Sequence, residues 1–312
     1  MPRRCRAPVD TTFGESEVDV SAPFVSPTPQ LSPIKSIRTD VDKEAVLIYS
    51  INIRCLLSHL AELEFHLIKH RPHIVLIQET WLNESIESVA IRGYRTISRR
   101  DRKAGQNRGG VLTLARHDFN SIAHIRNSLS DERSWHFLNL GPETILLGNW
   151  YRSGYTFHDA FSELYADLNE FSSEITGIIL EGDMNVHHTR WLRYSNGNTP
   201  IGADLKALCD SYGLTQLVKQ PTRQESGYLL DLILTNVPDC TVKVLPSIAD
   251  HDAIWNSVPL PKVTSKTIAR KGWILQLARW SELKRSLKEF DWAELRKGSA
   301  EDALNYFYEI LW

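Results

Sequence analysis

Residues 177–188 read GIILEGDMNVHH, an apolar run that ends in a carboxylate and a carboxamide two positions apart, Asp183 and Asn185. A short continuous stretch of Ile and Leu bounded by polar residues is the pattern of a strand buried on both faces. Side chains two apart on an extended chain point the same way, so Asp183 and Asn185 face one side. A carboxylate there can take a proton from water while the amide holds that water or a phosphate oxygen. His187 and His188 are adjacent and point apart on an extended chain, so they read as loop residues rather than a metal pair.

Outward from this strand the same habit repeats. AVLIYSIN (45–52) and HIVLIQE (73–79) are compact buried runs that end in Asn52 and Glu79. TILLGNWY (144–151) ends in Tyr151, LLDLILTN (229–236) carries Asp231, and Asp250 with His251 precedes the run AIWNSVPL. GGVLTLA (109–115), HFLNL (136–140) and TVKVLPSI (241–248) are further strands. Helical spacing places Leu60, Leu63, Leu67 and Ile68 on one helix closed by Pro72, and Phe161, Leu164, Leu168 and Phe171 on another. IGADLKALCDSYGL reads as a third helix, ending at Gly213. Strands and helices alternate without a fixed period, which predicts a layered α/β domain and excludes a solenoid.

Residues 1–44 are rich in Pro, Ser and Thr without apolar period and read as a disordered tail. Residues 45–260 form the expected globular domain, and 261–312 a basic, Trp-containing helical segment. No run of eighteen apolar residues occurs, so no membrane partner is expected. The N-terminal MPRRCRAPVD lacks the apolar core of a secretory signal, which favours an intracellular protein. The four cysteines show no CxxC pair, which argues against a zinc knuckle. With 36 basic and 38 acidic residues the net charge is -2, so nucleic-acid binding needs a local patch rather than a global field.

Polar groups at strand ends face the crevice where ligands bind in layered α/β folds. Glu79 and Asp250 are hard oxygen donors suited to Mg²⁺, with Mn²⁺ as a substitute; zinc and copper prefer softer sets. His251 can donate to charge developing on phosphorus, with Asp231 orienting its ring and stabilising the protonated form. Together these residues make a phosphodiester-hydrolysing site.

The ordered series SIN, QETW, RGG, WYR, EGDMN, PTR, DLILTN and ADHDAI resembles the endonuclease/exonuclease/phosphatase superfamily. More narrowly, INIRCL, QETWL, GDMNVHHTRW, QPTR and LLDLILTN resemble the apurinic-endonuclease-like nicking domains of non-LTR retrotransposons, over roughly residues 45–260. The resemblance implies a four-layer α/β sandwich of two packed β-sheets flanked by helices, with the site at one edge. It implies that Asn52 supports the metal carboxylate and the phosphate site, Glu79 binds the ion and Asp250 lies on the metal side. By the same resemblance Tyr151 contacts the scissile phosphate, and Asp183 and Asn185 handle the attacking water and leaving group. Thr222 lies near the DNA backbone, and Asp231 orients His251. Two positions depart from the family pattern: Ala249 stands where a serine is usual, and Ser153-Gly154 where two prolines are common.

RGYRTISRRDRKAGQNRGG (92–110) concentrates positive charge, including Arg99, Arg100 and Arg108, and is read as a phosphate-neutralising segment for double-stranded DNA. The expected activity is Mg²⁺-dependent nicking that leaves a 3′-hydroxyl to prime reverse transcription, in the nucleus. No Tyr-x-Asp-Asp signature of a polymerase is present, so a reverse transcriptase is expected in trans or lost by truncation. An abasic-site repair nuclease, a small-ester phosphatase or a catalytically silent DNA-binding remnant are the competing readings, since the fold alone does not decide among them.

Overall fold

The structure, a computed structural model, describes residues 45–102, 108–154, 161–261 and 279–311. The reading of 1–44 as a disordered tail, the Lys103 part of the basic loop and the start of the C-terminal segment lie outside these residues. In chain order the strands of the first unit are β1 (Ala45–Asn52), β2 (Ile74–Gln78), β3 (Tyr94–Arg100), β4 (Val111–Arg116), β5 (Ile122–Asn127) and β6 (Glu132–Leu140). They continue with β7 (Glu143–Tyr151), β8 (Gly177–Asp183), β9 (Thr215–Gln216), β10 (Asp231–Thr235), β11 (Thr241–Leu245) and β12 (Ala253–Pro259). Helices α1 (Leu60–His70), α2 (Ser162–Phe171) and α3 (Pro200–Tyr212) intervene.

The strands form two six-stranded sheets, ordered β11-β12-β1-β2-β4-β3 and β5-β6-β7-β8-β10-β9. β1 and β2 are parallel, as are β7 and β8, and the remaining pairs are antiparallel. Period-two alternation divides each strand between two faces. Val46, Ile48, Ile74 and Leu76 join Ile145, Leu147 and Ile179 in the core between the sheets. Tyr49, Ile51, Val75 and Ile77 face the other way, onto Leu63 and Leu67 of α1. On the far side of the second sheet, Trp135 and Phe137 meet Phe171 of α2, and Trp150 meets Phe161 just before it. Leu205 and Leu208 of α3 extend that core. The expected four-layer α/β sandwich is therefore the observed fold.

The ends of α3 follow from its sequence. Thr199 caps α3 by accepting from the Gly202 amide, Pro200 occupies the first turn, and Gly213 closes it in the left-handed region at φ 64. The expected stripe on α1 needs one correction, because Ile68 is exposed and only Leu63 and Leu67 are buried. Part of the arginine-rich stretch, read from the sequence as a phosphate-neutralising segment, is edge strand β3 over residues 94–100. Tyr94 and Ser98 are its buried positions while its arginines lie at partly exposed ones.

Polar residues also enter the layer between the sheets. Gln78 donates to Asn149 at 2.8 Å and to Ser50 at 3.2 Å, tying β2 to β7 across the gap. Glu181 on β8 is fully buried and accepts a short hydrogen bond from Asn256 on β12. The other atoms of that pair, Glu181 Oε2 and Asn256 Oδ1, are buried without partners. Burial pushes the Glu181 carboxyl up to about 7 from its ordinary 4.5, which favours a neutral acid there.

Residues 279–311 form a separate unit. Helices α4 (Trp280–Glu289) and α5 (Ala300–Leu311) carry an aromatic cluster in which Phe290 meets Trp292 and Tyr306.

The Glu181 shift has a definite sign. Between 4.5 and about 7 the unfolded chain loses its proton while the folded chain keeps it, so this residue lowers stability as pH rises through that window. Glu181→Gln keeps the shape and supplies a donor for Asn256. It is expected to stabilise by about 3 kcal/mol at pH 8 and by much less at pH 5, read from denaturant melts at the two pH values. An equal change at both would show that Glu181 is not buried as a neutral acid.

Candidate functional site

The polar groups between the sheets become denser toward one edge, where the carboxyl ends of β1, β2, β7 and β8 meet. Asn52, the last residue of β1, is fully buried. Its Nδ2 donates to Glu79 Oε1 at 3.0 Å and across the sheets to Asp183 Oδ2 at 2.9 Å. One amide group thus spends both hydrogens on two carboxylates from different strands. Glu79 follows β2 with φ 52, and its second oxygen accepts from the Trp81 indole at 2.9 Å. Tyr151 is buried beside it. Burial, followed by the charges of Glu79 and Asp183, pushes the Tyr151 phenol far above its ordinary range, so it remains a protonated donor.

Asp183 ends β8 and is buried. Burial and then the charge of Asp231 push its carboxyl up, while His251 and the Asn52 hydrogen bond oppose that shift. Its position depends on Gly182, at φ 141, where a Cβ atom would lie 1.9 Å from the Trp150 carbonyl oxygen. Beyond it the chain turns sharply, with Asn185 at φ 45 donating from its side chain to the Arg152 carbonyl at 2.9 Å. Arg152 holds this turn in place: its Nε donates to the Met184 carbonyl at 2.7 Å and its Nη2 to that of Asn185.

His251 Nδ1 lies 2.7 Å from Asp231 Oδ2. Burial alone lowers a histidine pKa, but the charge and hydrogen bond of Asp231 outweigh it and raise His251 to about 10. That balance favours the protonated ring at neutral pH. Asp183, Asp231 and His251 have ligand-type atoms within 4.8 Å of one another.

Three expectations are revised by placement. Thr222 is fully buried, and its Oγ1 accepts from the Leu230 and Asp231 amides at 3.2 and 3.1 Å, so it positions Asp231 rather than touching a DNA backbone. Arg99 is spent on Asp101 and on the carbonyls of Asn83, Ile86 and Glu87, leaving no fork for a phosphate. Arg100 is partly buried and donates to the Leu129 carbonyl. Arg108, by contrast, is exposed over the Trp81 ring at 5.7 Å.

Asp250 was expected on the metal side. Its Oδ2 is held by two guanidiniums, Arg54 at 3.0 Å and Arg223 at 3.2 Å, and its Oδ1 is buried without a hydrogen-bond partner. Neither arginine was singled out from the sequence. Their only signal was nearness to the motifs, Arg54 in INIRCL and Arg223 in QPTR.

Glu79, Asp183, Tyr151, Asn185, Asp250 and His251 line one cleft of about 1010 Å³ with Trp81, Arg54, Arg102, Arg108 and Arg223. A hard divalent cation fits this donor set. Glu79 is fixed at both oxygens, the orphan Asp250 oxygen is available, and no thiolate lies in the lining.

A family model described as endonuclease-reverse transcriptase matches residues 145–255, a span that carries every site residue from Tyr151 to His251 but not Asn52 or Glu79. Among solved structures, an AP endonuclease from Leishmania major matches at TM-score 0.60 and 17% identity, over 72% of this chain and 91% of that chain. The endonuclease domain of TRAS1, a telomere-specific non-LTR retrotransposon, matches at TM-score 0.54 and 16% identity, over 69% and 99%. The 3′ phosphatase NExo from Neisseria, bound to a product DNA hairpin, matches at TM-score 0.51 and 17% identity, over 68% and 98%. No curated protein sequence matches significantly. At such identities the structural likeness establishes the endonuclease/exonuclease/phosphatase fold. With the family match over residues 145–255 it bears out the resemblance to the endonuclease/exonuclease/phosphatase superfamily read from the sequence.

Gly182→Ala tests the placement of Asp183 directly. The obstructing atom is backbone of the neighbouring strand, so β7 and β8 must separate locally. A loss of several kcal/mol in denaturant unfolding, or of soluble protein, is expected. A variant as stable as the parent would mean that the two strands do not approach this closely.

Proposed function

We propose that the protein is a divalent-metal-dependent DNA endonuclease that hydrolyses a phosphodiester bond, nicks one strand of a duplex and leaves a 3′-hydroxyl, in the manner of non-LTR retrotransposon nicking domains. One observation carries this reading. A buried carboxylate, Asp183, stands between the Asn52–Glu79 pair and the His251–Asp231 pair at the wall of a single open cleft.

The division of labour follows from the charges. Glu79 and the free oxygen of Asp250 would hold the cation, Mg²⁺ by the hardness of the donors, and a cation held there would supply neutralisation of the phosphate charge. Asp183 accepts the proton of the attacking water on a carboxylate oxygen. Its raised pKa suits a base that must take up a proton near neutral pH and release it again. The imidazolium of His251 donates from Nε2 to the oxyanion forming on phosphorus, while Asp231 keeps the ring charged and aimed. Tyr151 donates its phenol proton as a hydrogen bond to the same phosphate. The water oxygen bonds to phosphorus as the bond to O3′ breaks, and a proton delivered to O3′ completes the 3′-hydroxyl.

Such an end primes DNA synthesis, so the natural partner is a reverse transcriptase and the natural compartment the nucleus. A second reading, abasic-site repair, draws on the likeness to a structure named as an AP endonuclease. It differs in substrate rather than in machinery.

Incubation of supercoiled plasmid with the protein in Mg²⁺ or EDTA, as wild type, Asp183→Ala and His251→Ala, tests the proposal. Nicking is expected in Mg²⁺ alone, with a loss of about 10³-fold or more in Asp183→Ala and about 10²–10³-fold in His251→Ala. Nick positions that follow abasic sites rather than intact sequence would favour repair. Folded protein that binds plasmid without cutting it would establish a silent DNA-binding remnant.

A further inference from the structure

We propose that Arg54 and Arg223 form a clamp for a DNA phosphate beside His251, and that the Asp250 carboxylate holds the clamp's place until DNA displaces it. The inference rests on the nuclease reading and names how that site takes its substrate.

The two arginines come from unrelated loops. Arg54 follows β1 at φ 44, a strained position for a side chain of its size. Arg223 opens a tight turn whose other side is Tyr228, held by amide bonds from Thr222 and Arg223 to the Tyr228 carbonyl at 2.9 and 3.0 Å. From these separate origins both guanidiniums converge on a single atom, Asp250 Oδ2. Neither contact is the two-pronged pairing that arginine and a carboxylate prefer, because Asp250 Oδ1 takes part in neither. Two positive charges thus share one negative charge, and one is left over at the cleft wall.

The donor count makes the same point. Arg223 Nε is buried without an acceptor, a costly condition for a charged donor unless something completes it. The side chains of Arg54 and Arg223 are 52% and 37% exposed, so they can meet a ligand without unfolding anything. Two other arginines of the cleft are already committed, Arg152 to three carbonyls and Arg102 to Glu132, while Arg108 lies over the Trp81 ring. A phosphodiester supplies what this pair lacks. It offers two non-bridging oxygens and one negative charge in the planar geometry a guanidinium fork fits. Asp250 and the incoming phosphate then compete for the same two cations.

The competition distinguishes the clamp from a static ion pair. Binding of a short DNA duplex is measured in EDTA across a range of salt for wild type, Arg54→Gln, Arg223→Gln, Asp250→Asn and the triple variant, with a thermal melt of each. Each arginine removed is expected to reduce the slope of log affinity against log salt by about 0.9. Asp250→Asn, which frees both guanidiniums, is expected to bind DNA about threefold or more tighter, and the gain is expected to vanish in the triple variant. In Mg²⁺ the single arginine variants are expected to raise KM with kcat held within about twofold, because a phosphate contact made before and during the reaction affects binding uniformly. Unchanged slopes, with Asp250→Asn no tighter than wild type, overturn the clamp even if plasmid is still nicked. Changed slopes without any nicking leave the clamp standing and remove the nuclease reading. A folded wild type that does not bind DNA removes both.

Discussion

The hydrogen bond from Asn52 to Asp183 joins the two sheets at the edge where the chemistry lies, and the site depends on it. Apart from the Gln78–Asn149 and Asn256–Glu181 contacts, the side chains between the sheets are largely apolar and tolerate small sliding, because dispersion and burial have little directional preference. A carboxylate that is fully buried has no such tolerance. Without a donor it takes a proton or draws in water, and either outcome removes the base. By giving its second hydrogen to Glu79, Asn52 also fixes the spacing of two negative groups that would otherwise repel each other. Interaction of this charge-assisted kind contributes about 1.5–3 kcal/mol, so the contact matters to stability as well as to alignment.

Backbone strain concentrates at the same edge. Of the eight described non-glycine residues with positive φ, five (Arg54, Cys55, Glu79, Trp81 and Asn185) lie in the loops that follow β1, β2 and β8. Two of them have specific side-chain support: Glu79 from Asn52 and the Trp81 indole, Asn185 from Arg152. Strain of this kind persists only where surrounding contacts over-determine it. Arg152 supplies the support at Asn185 and also lines the cleft.

Much of this was legible in the sequence, for a reason that also sets the boundary. A buried strand ending in Asn, Glu or Asp breaks its own pattern, so Asn52, Glu79 and Asp183 stood out. The roles of Thr222 and Arg99 did not, because a sequence shows that a hydroxyl or guanidinium lies near a turn but not which way it points. Thr222 faces inward onto the Asp231 amide, and Arg99 folds back onto three carbonyls. Strand β3 was hidden because its arginines mask an alternation carried by only Tyr94 and Ser98. Glu181 was hidden for the opposite reason. It lies inside the run GIILEGD, and only the cross-sheet contact to Asn256 reveals that a polar residue there is buried.

The topology explains why strand ends from both sheets converge at all. A sheet built wholly of antiparallel neighbours sends successive carboxyl ends to opposite edges. Here β1 pairs with β2, and β7 with β8, in parallel, so Asn52 lies beside Gln78 and Glu79, and Tyr151 ends near Asp183. The antiparallel β10 then contributes its beginning rather than its end, with Asp231 directly opposite Asp183 in the register. His251 arrives the same way, just ahead of β12, which runs antiparallel to β1. Two parallel pairs supply the carboxylates and the phenol, and two antiparallel neighbours return the Asp–His pair to the same edge. Each of the two sheets contributes one parallel pair and one returning strand, so the cleft exists only while the sheets stay in register with each other. Asn52 holds that register at the edge of the site, as Gln78 with Asn149 and Asn256 with Glu181 hold it deeper between the sheets.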